Sequence, residues 1–120
     1  MIRLNAKEPG VWNSLCWSRA LAGELQLALG NCNESLRMRP DDAETLDSRA
    51  VAYFKLGRFA EAFADFDAAL KRNEKMASAL YGRGVSRLKQ GDVEKGEADI
   101  AAAKALKADI AEEYSGYGVK

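Results

Sequence analysis

Apolar and small residues return along this chain in two interleaved rhythms, one helical and one much longer. Leu46, Ala50 and Tyr53 follow helical spacing before Gly57, and Phe59, Ala62, Phe66, Ala69 and Leu70 follow it afterwards. That spacing predicts two amphipathic helices, each about fourteen residues long, around a glycine turn. Glycine suits the end of the first helix, where a positive φ is usually needed. The longer rhythm has a step of 34 residues: Gly23-Glu24-Leu25, Gly57-Arg58-Phe59 and Gly91-Asp92-Val93 each read glycine, polar, apolar. Trp12, Leu46 and Leu80 share that register, as do Ala28, Ala62 and Gly96, then Cys32, Phe66 and Ile100, then Ser35, Ala69 and Ala103. Large and small positions therefore repeat separately, which predicts a stack of similar helical hairpins.

Small residues at Ala50, Ala62 and Ala69 let paired backbones approach, while Tyr53 and Phe66 fill the space beside them. Pro40, followed by Asp41 and Asp42, ends one hairpin and places acidic residues at the positive start of the next helix. On these residues the chain resembles the tetratricopeptide repeat (TPR) proteins, of the bacterial type. Trp12, Leu15, Gly23, Ala28 and Pro40 meet the family pattern first, and Ala50, Tyr53, Gly57, Ala62, Phe66 and Ala69 meet it again. A third unit keeps Leu80, Gly84, Gly91 and Ala103 but carries Arg87 in an aromatic place, Gly96 for alanine and Ala108 for the closing proline. These departures are expected of a terminal unit. The resemblance implies an all-α fold, a right-handed superhelix of three helix-turn-helix units at 9–42, 43–76 and 77–110. Residues 1–8 form an N-terminal extension and 111–120 a short C-terminal capping helix, all within one domain.

Composition narrows the function. With 18 basic and 18 acidic side chains the net charge is zero, so no global field holds nucleic acid, and no run is apolar enough to insert in a membrane. The chain has no histidine, which removes Ser-His and Cys-His catalysis and leaves its two cysteines short of a closed zinc site. There is no phosphate-cradling glycine loop, and a nucleophile such as Ser48 or Lys89 lacks any activating constellation. The expectation is a protein that is not an enzyme and needs no cofactor or metal.

Cys16 and Cys32 lie eight residues on either side of Glu24, at core-facing places of the first hairpin. Antiparallel helices bring such positions opposite one another, within disulfide reach; two reduced, buried cysteines are the equal alternative. A bond would fit an oxidising compartment such as a periplasm, whereas reduced thiols and the lack of a signal peptide fit the cytoplasm. Arg49 and Asp65 flank Gly57 by eight residues, and Arg83 and Asp99 flank Gly91 in the same way, while the first unit has Leu15 and Asn31 there. Arginine thus occurs where aspartate stands opposite, which predicts a structural ion pair across each hairpin.

The family resemblance also implies that the first helices of successive units line a concave groove. It assigns to that groove Asn13, Trp17, Asp47, Val51, Phe54, Tyr81, Val85 and Leu88. The expected function is a non-enzymatic scaffold that binds a peptide or helix of a partner protein there. A structural or self-associating module, a homo-oligomer or part of a larger polypeptide, is the alternative. Phe54 and Leu88 packing between units, and Trp17 covered by residues 1–8, are the competing structural readings. Family members that clamp a terminal carboxylate do so with lysine and asparagine at groove positions. Here those positions carry Asn13 with Trp17, Asp47 with Val51, and Tyr81 with Val85, so no such clamp is expected.

Overall fold

A computed structural model describes residues 9–120; the extension at 1–8 lies outside the described residues. Three helical pairs follow one another: α1 (Pro9–Ala22) with α2 (Leu25–Met38), α3 (Ala43–Lys55) with α4 (Phe59–Arg72), and α5 (Ala77–Lys89) with α6 (Val93–Leu106). A short seventh helix, α7 (Ile110–Gly116), closes the chain, and no strand occurs among the described residues.

The hairpin turns share one hydrogen-bonding scheme. Gly57 has φ +79°; its N–H donates to the Phe54 carbonyl, and the Arg58 N–H donates back to Tyr53, each at 2.9 Å. Gly23 and Gly91, at φ +84° and +89°, repeat the scheme with Ala20 and Arg19, and with Leu88 and Arg87. These are Schellman closures, in which a left-handed residue lets two N–H groups satisfy carbonyls that the helix end would otherwise leave bare.

Packing within and between pairs alternates bulk with space. Phe66 is fully buried, and a Cβ at Gly82 would lie 2.3 Å from its ring, so glycine on α5 makes the seat for the α4 aromatic. Burial of that ring is worth about 2–3 kcal/mol. The third pair packs closely. A Cβ at Gly84 would meet the Gly96 carbonyl at 2.7 Å, and one at Gly96 would meet the Gly84 carbonyl at 2.8 Å. Gly96 in place of alanine therefore has a packing cause, the close approach of α5 to α6. Arg87 also has its own place: its guanidinium lies 5.2 Å from the centre of the Phe63 ring and donates to Asp99 at 3.0 Å.

The seventh helix departs from simple stacking. Its residues reach all three first helices: the ring centres of Tyr114 and Trp17 on α1 are 6.2 Å apart, its hydroxyl donates to Asp47 on α3, and its ring meets Tyr81 on α5. The segment thus crosses the concave face. It ends in a fourth Schellman closure, with Gly118 at φ +95°, its N–H on Ser115 and the Val119 N–H on Tyr114. Val119 and Ile110 are buried, anchoring both ends of the segment.

Candidate partner-binding face

The first helices α1, α3 and α5 present Asn13, Asp47 and Tyr81 in one row and Trp17, Val51 and Val85 in the next, because the 34-residue step repeats on one helix face. The structure brings both rows together, but much of this face is covered by the chain's own C-terminal segment. Val51, Tyr81 and Val85 are buried in the core cluster that also holds Ile110, Tyr114 and Val119. Trp17 is half-buried, with Tyr117 edge-on at 5.2 Å. Among the described residues its cover comes from α7 and the residue after it.

Two of the assigned groove residues serve neighbouring helices. Phe54 is buried edge-on to Phe59 at 5.0 Å, across the second turn. Leu88 packs on Gly96, in the α5–α6 seam. Lys55 runs its aliphatic chain beside Gly118 and donates from Nζ to the Ala20 carbonyl at 2.8 Å, a cation on the negative end of α1. Ser48 donates its hydroxyl to the Glu44 carbonyl at 3.0 Å, and Lys89 extends over the Phe59 ring.

What stays open is a recess of about 310 Å³ near the starts of α3 and α5. Asn13, Ser14 and Trp17 form one wall, Glu44, Asp47 and Ser48 another, with Met76, Ser78 and Tyr114 completing it. Asp47 is its buried centre, at 5% exposure. The Tyr114 hydroxyl donates to Asp47 Oδ2 at 2.8 Å, whereas Asp47 Oδ1 and Asn13 Oδ1 are buried without a hydrogen-bond partner among the described residues. Burial pushes the Asp47 carboxyl up to about 6; the hydroxyls of Tyr114 and Ser78 oppose that shift and the Glu44 charge adds to it. Burial likewise raises the Tyr114 phenol, and the Asp47 charge raises it further.

Other assigned residues form the frame. Cys16 and Cys32 are joined as a disulfide between α1 and α2, with Cα atoms 5.2 Å apart. Arg49 holds Asp65 with two bonds of 2.7 and 2.8 Å, and Arg83 holds Asp99 with two of 2.9 and 2.8 Å. The sequence reading missed a second role for these arginines. Arg49 also donates to Asn33 at 3.0 Å and Arg83 to Asp67 at 2.9 Å, so each ties its own pair to the preceding one. The signal was present, since Asn33 and Asp67 obey the same 34-residue step. In the first pair, where leucine replaces the arginine, Arg19 donates to Asn31 at 3.0 Å instead.

Among the described residues no helix is long and apolar enough to cross a membrane. The model of the tetratricopeptide repeat family matches residues 48–112. No curated protein matches the sequence. Among solved structures, the first TPR domain of Spaghetti (RPAP3), bound to the HSP90 peptide SRMEEVD, is similar, with 21% identity and a TM-score of 0.81 over 98% of this chain and 96% of that one. The first TPR domain of human RPAP3 gives 20% identity and a TM-score of 0.81, over 95% of this chain and 92% of that one. A point mutant of MamA gives 21% identity and a TM-score of 0.73, over 82% and 72%. At these identities the likeness is one of fold. With the family model spanning more than half of its length, the chain belongs to the tetratricopeptide repeat family of helical protein-interaction modules.

Proposed function

We propose that this chain is a non-enzymatic interaction module that takes a segment of a partner protein at the open end of its concave face. The observation that carries this reading is the recess itself, where three first helices converge on Trp17 and Asp47 while α7 fills the rest of the face. Trp17 supplies the kind of half-exposed aromatic that anchors peptides, and the polar rim of Ser14, Glu44 and Ser78 surrounds it. The peptide bound by the Spaghetti domain, SRMEEVD, ends in acidic residues. Such a ligand suits this recess badly, because Glu44 and Asp47 stand where it would bring more negative charge.

A photo-crosslinking residue placed at Ser14 or Ser48, in cells of the source organism, tests the proposal. Adducts with another protein from those positions, absent from a control at exposed Ala101 on α6, are the expected result. Adducts at Ala101 alone would overturn it. The self-associating alternative has its own observation: Ala98, Ala101, Ala102, Ala105 and Leu106 are exposed on α6, on the last pair of the stack. A mass in light scattering that rises with concentration would favour that reading.

A further inference from the structure

We infer that the recess around Asp47 receives a cationic side chain of the partner, a lysine ammonium or an arginine guanidinium; this rests on reading the recess as the partner site. Among the described residues, its buried and unpartnered side-chain atoms are both acceptors. Asp47 Oδ1 is an acceptor on a buried side chain, and Asn13 Oδ1 is a second buried acceptor, neither with a partner among the described residues. A buried acceptor left without a donor is destabilising, so a ligand that brings N–H groups recovers more than one that brings only shape. Two hydroxyls at the recess are already committed: the Tyr114 hydroxyl to Asp47 Oδ2, and the Ser48 hydroxyl to the Glu44 backbone. Ser78, on the opposite wall, brings its hydroxyl to the carboxyl and favours its ionised form, and Oδ1 is still left without a partner among the described residues.

Charge points the same way. Glu44 and Asp47 line the recess, and among the described residues no basic side chain does. The two carboxylates therefore attract a cation and repel a carboxylate or a phosphate. Trp17 and Tyr114 add ring faces and edges to the walls, and an aromatic face within about 6 Å of a cation attracts it. The volume of about 310 Å³ lies at the lower end of the range for ligand sites, enough for one extended side chain rather than a folded element. The raised proton affinity of Asp47 is the cost of holding that carboxyl where water reaches it poorly. A partner cation offsets the same cost that a proton would, and at neutral pH it does so without protonation.

The test uses the full chain labelled with ¹³C and ¹⁵N and four probes of like shape: n-butylammonium, n-butylguanidinium, butan-1-ol and butyrate. The Asp47 carboxyl resonance and the Trp17 indole N–H are followed by NMR as each is titrated. Both cations should give saturable shifts at these two sites and lower the apparent pKa of Asp47, while the alcohol and the anion leave both unmoved. Glu44→Gln, an exposed change that leaves the fold alone, should weaken the cations about twofold to fivefold. Asp47→Asn, which keeps the acceptor for Tyr114, should weaken them more than about tenfold.

Equal responses to butylammonium and butanol, or no saturable response to either cation, overturn the proposal. Binding that emerges only after Arg3→Ala with Lys7→Ala would also overturn it, since the occupant would then be the chain's own N-terminal segment. Failure here is distinguishable from failure of the interaction reading. A partner that crosslinks at Ser14 equally well to the Asp47→Asn chain leaves the interaction site standing and removes only its cationic occupant.

Discussion

At Asp47 a carboxylate that receives the Tyr114 hydroxyl lies in a place that burial makes costly, and that cost can be read as a pH dependence. An unfolded aspartate titrates near 3.9, whereas the folded carboxyl is pushed up to about 6. Between those values the folded state binds more protons than the unfolded one, so its stability falls as pH rises and is fully present only below the unfolded value. Well above pH 6 the penalty is about 3 kcal/mol. Asp47→Asn keeps an acceptor for Tyr114 and cannot ionise. We therefore expect this variant to exceed the natural chain in stability by about 3 kcal/mol at pH 7, with the gap closing by pH 4. Urea denaturation at both values measures it; an equal gap at the two would mean that Asp47 is not the titrating group. Gly57 is a backbone counterpart. At φ +79° with nothing within 4 Å of an added Cβ, its cost is purely conformational. Gly57→Val should lose more than about 1 kcal/mol in the same assay, and a neutral result would displace the turn argument.

Among the helices, those whose form depends on their own spacing were readable in the sequence. Helical periodicity around Gly23, Gly57 and Gly91 is local, and the structure shows α1 to α6 on either side of those turns. The Arg–Asp pairing was visible too, because eight residues on each side of a turn face one another across antiparallel helices. If the Arg49 guanidinium and Asp65 act as a unit, removing both should cost less than the sum of the single losses; strict additivity in a double-mutant cycle would deny the coupling. The course of α7 was not legible. In the 34-residue register Tyr114 follows Leu80, which suggests another first helix in line, yet Gly118 stops the helix after seven residues and Val119 turns inward. Contacts far apart in sequence, among them Tyr114 with Asp47 and Tyr117 with Trp17, fix the segment across the concave face. Removing residues 110–120 should therefore uncover Val51, Tyr81 and Val85. The expected result is a loss of about 3 kcal/mol or more, together with new binding of a hydrophobic dye; unchanged stability would mean that the segment does not rest there.

Over the whole molecule these long contacts change how the stack should unfold. In a solenoid each pair touches only its neighbours, so an end pair is free to open alone. Here the first pair is restrained twice, by the Cys16–Cys32 bond between its helices and by the Tyr114 and Tyr117 rings that reach Trp17 from the other end of the chain. The bond closes a loop with a sequence separation of 16, which stabilises by about 3 kcal/mol in the chain-entropy model. Where that loss falls depends on whether the rings hold. With them intact, the molecule should open as one unit, and reduction should lower amide exchange protection in α1 to α6 together by the same amount. Tyr117→Ala removes part of the restraint while leaving the buried Tyr114 and Val119 in place. In that variant reduction should strip protection from α1 and α2 and spare α4 and α5. Hydrogen exchange read by mass spectrometry, with alkylation of the unfolded chain before and after reductant to count free thiols, decides it. Selective loss in the natural chain would show that the rings do not couple the ends, and ready alkylation without reductant would show that the cysteines are not bonded.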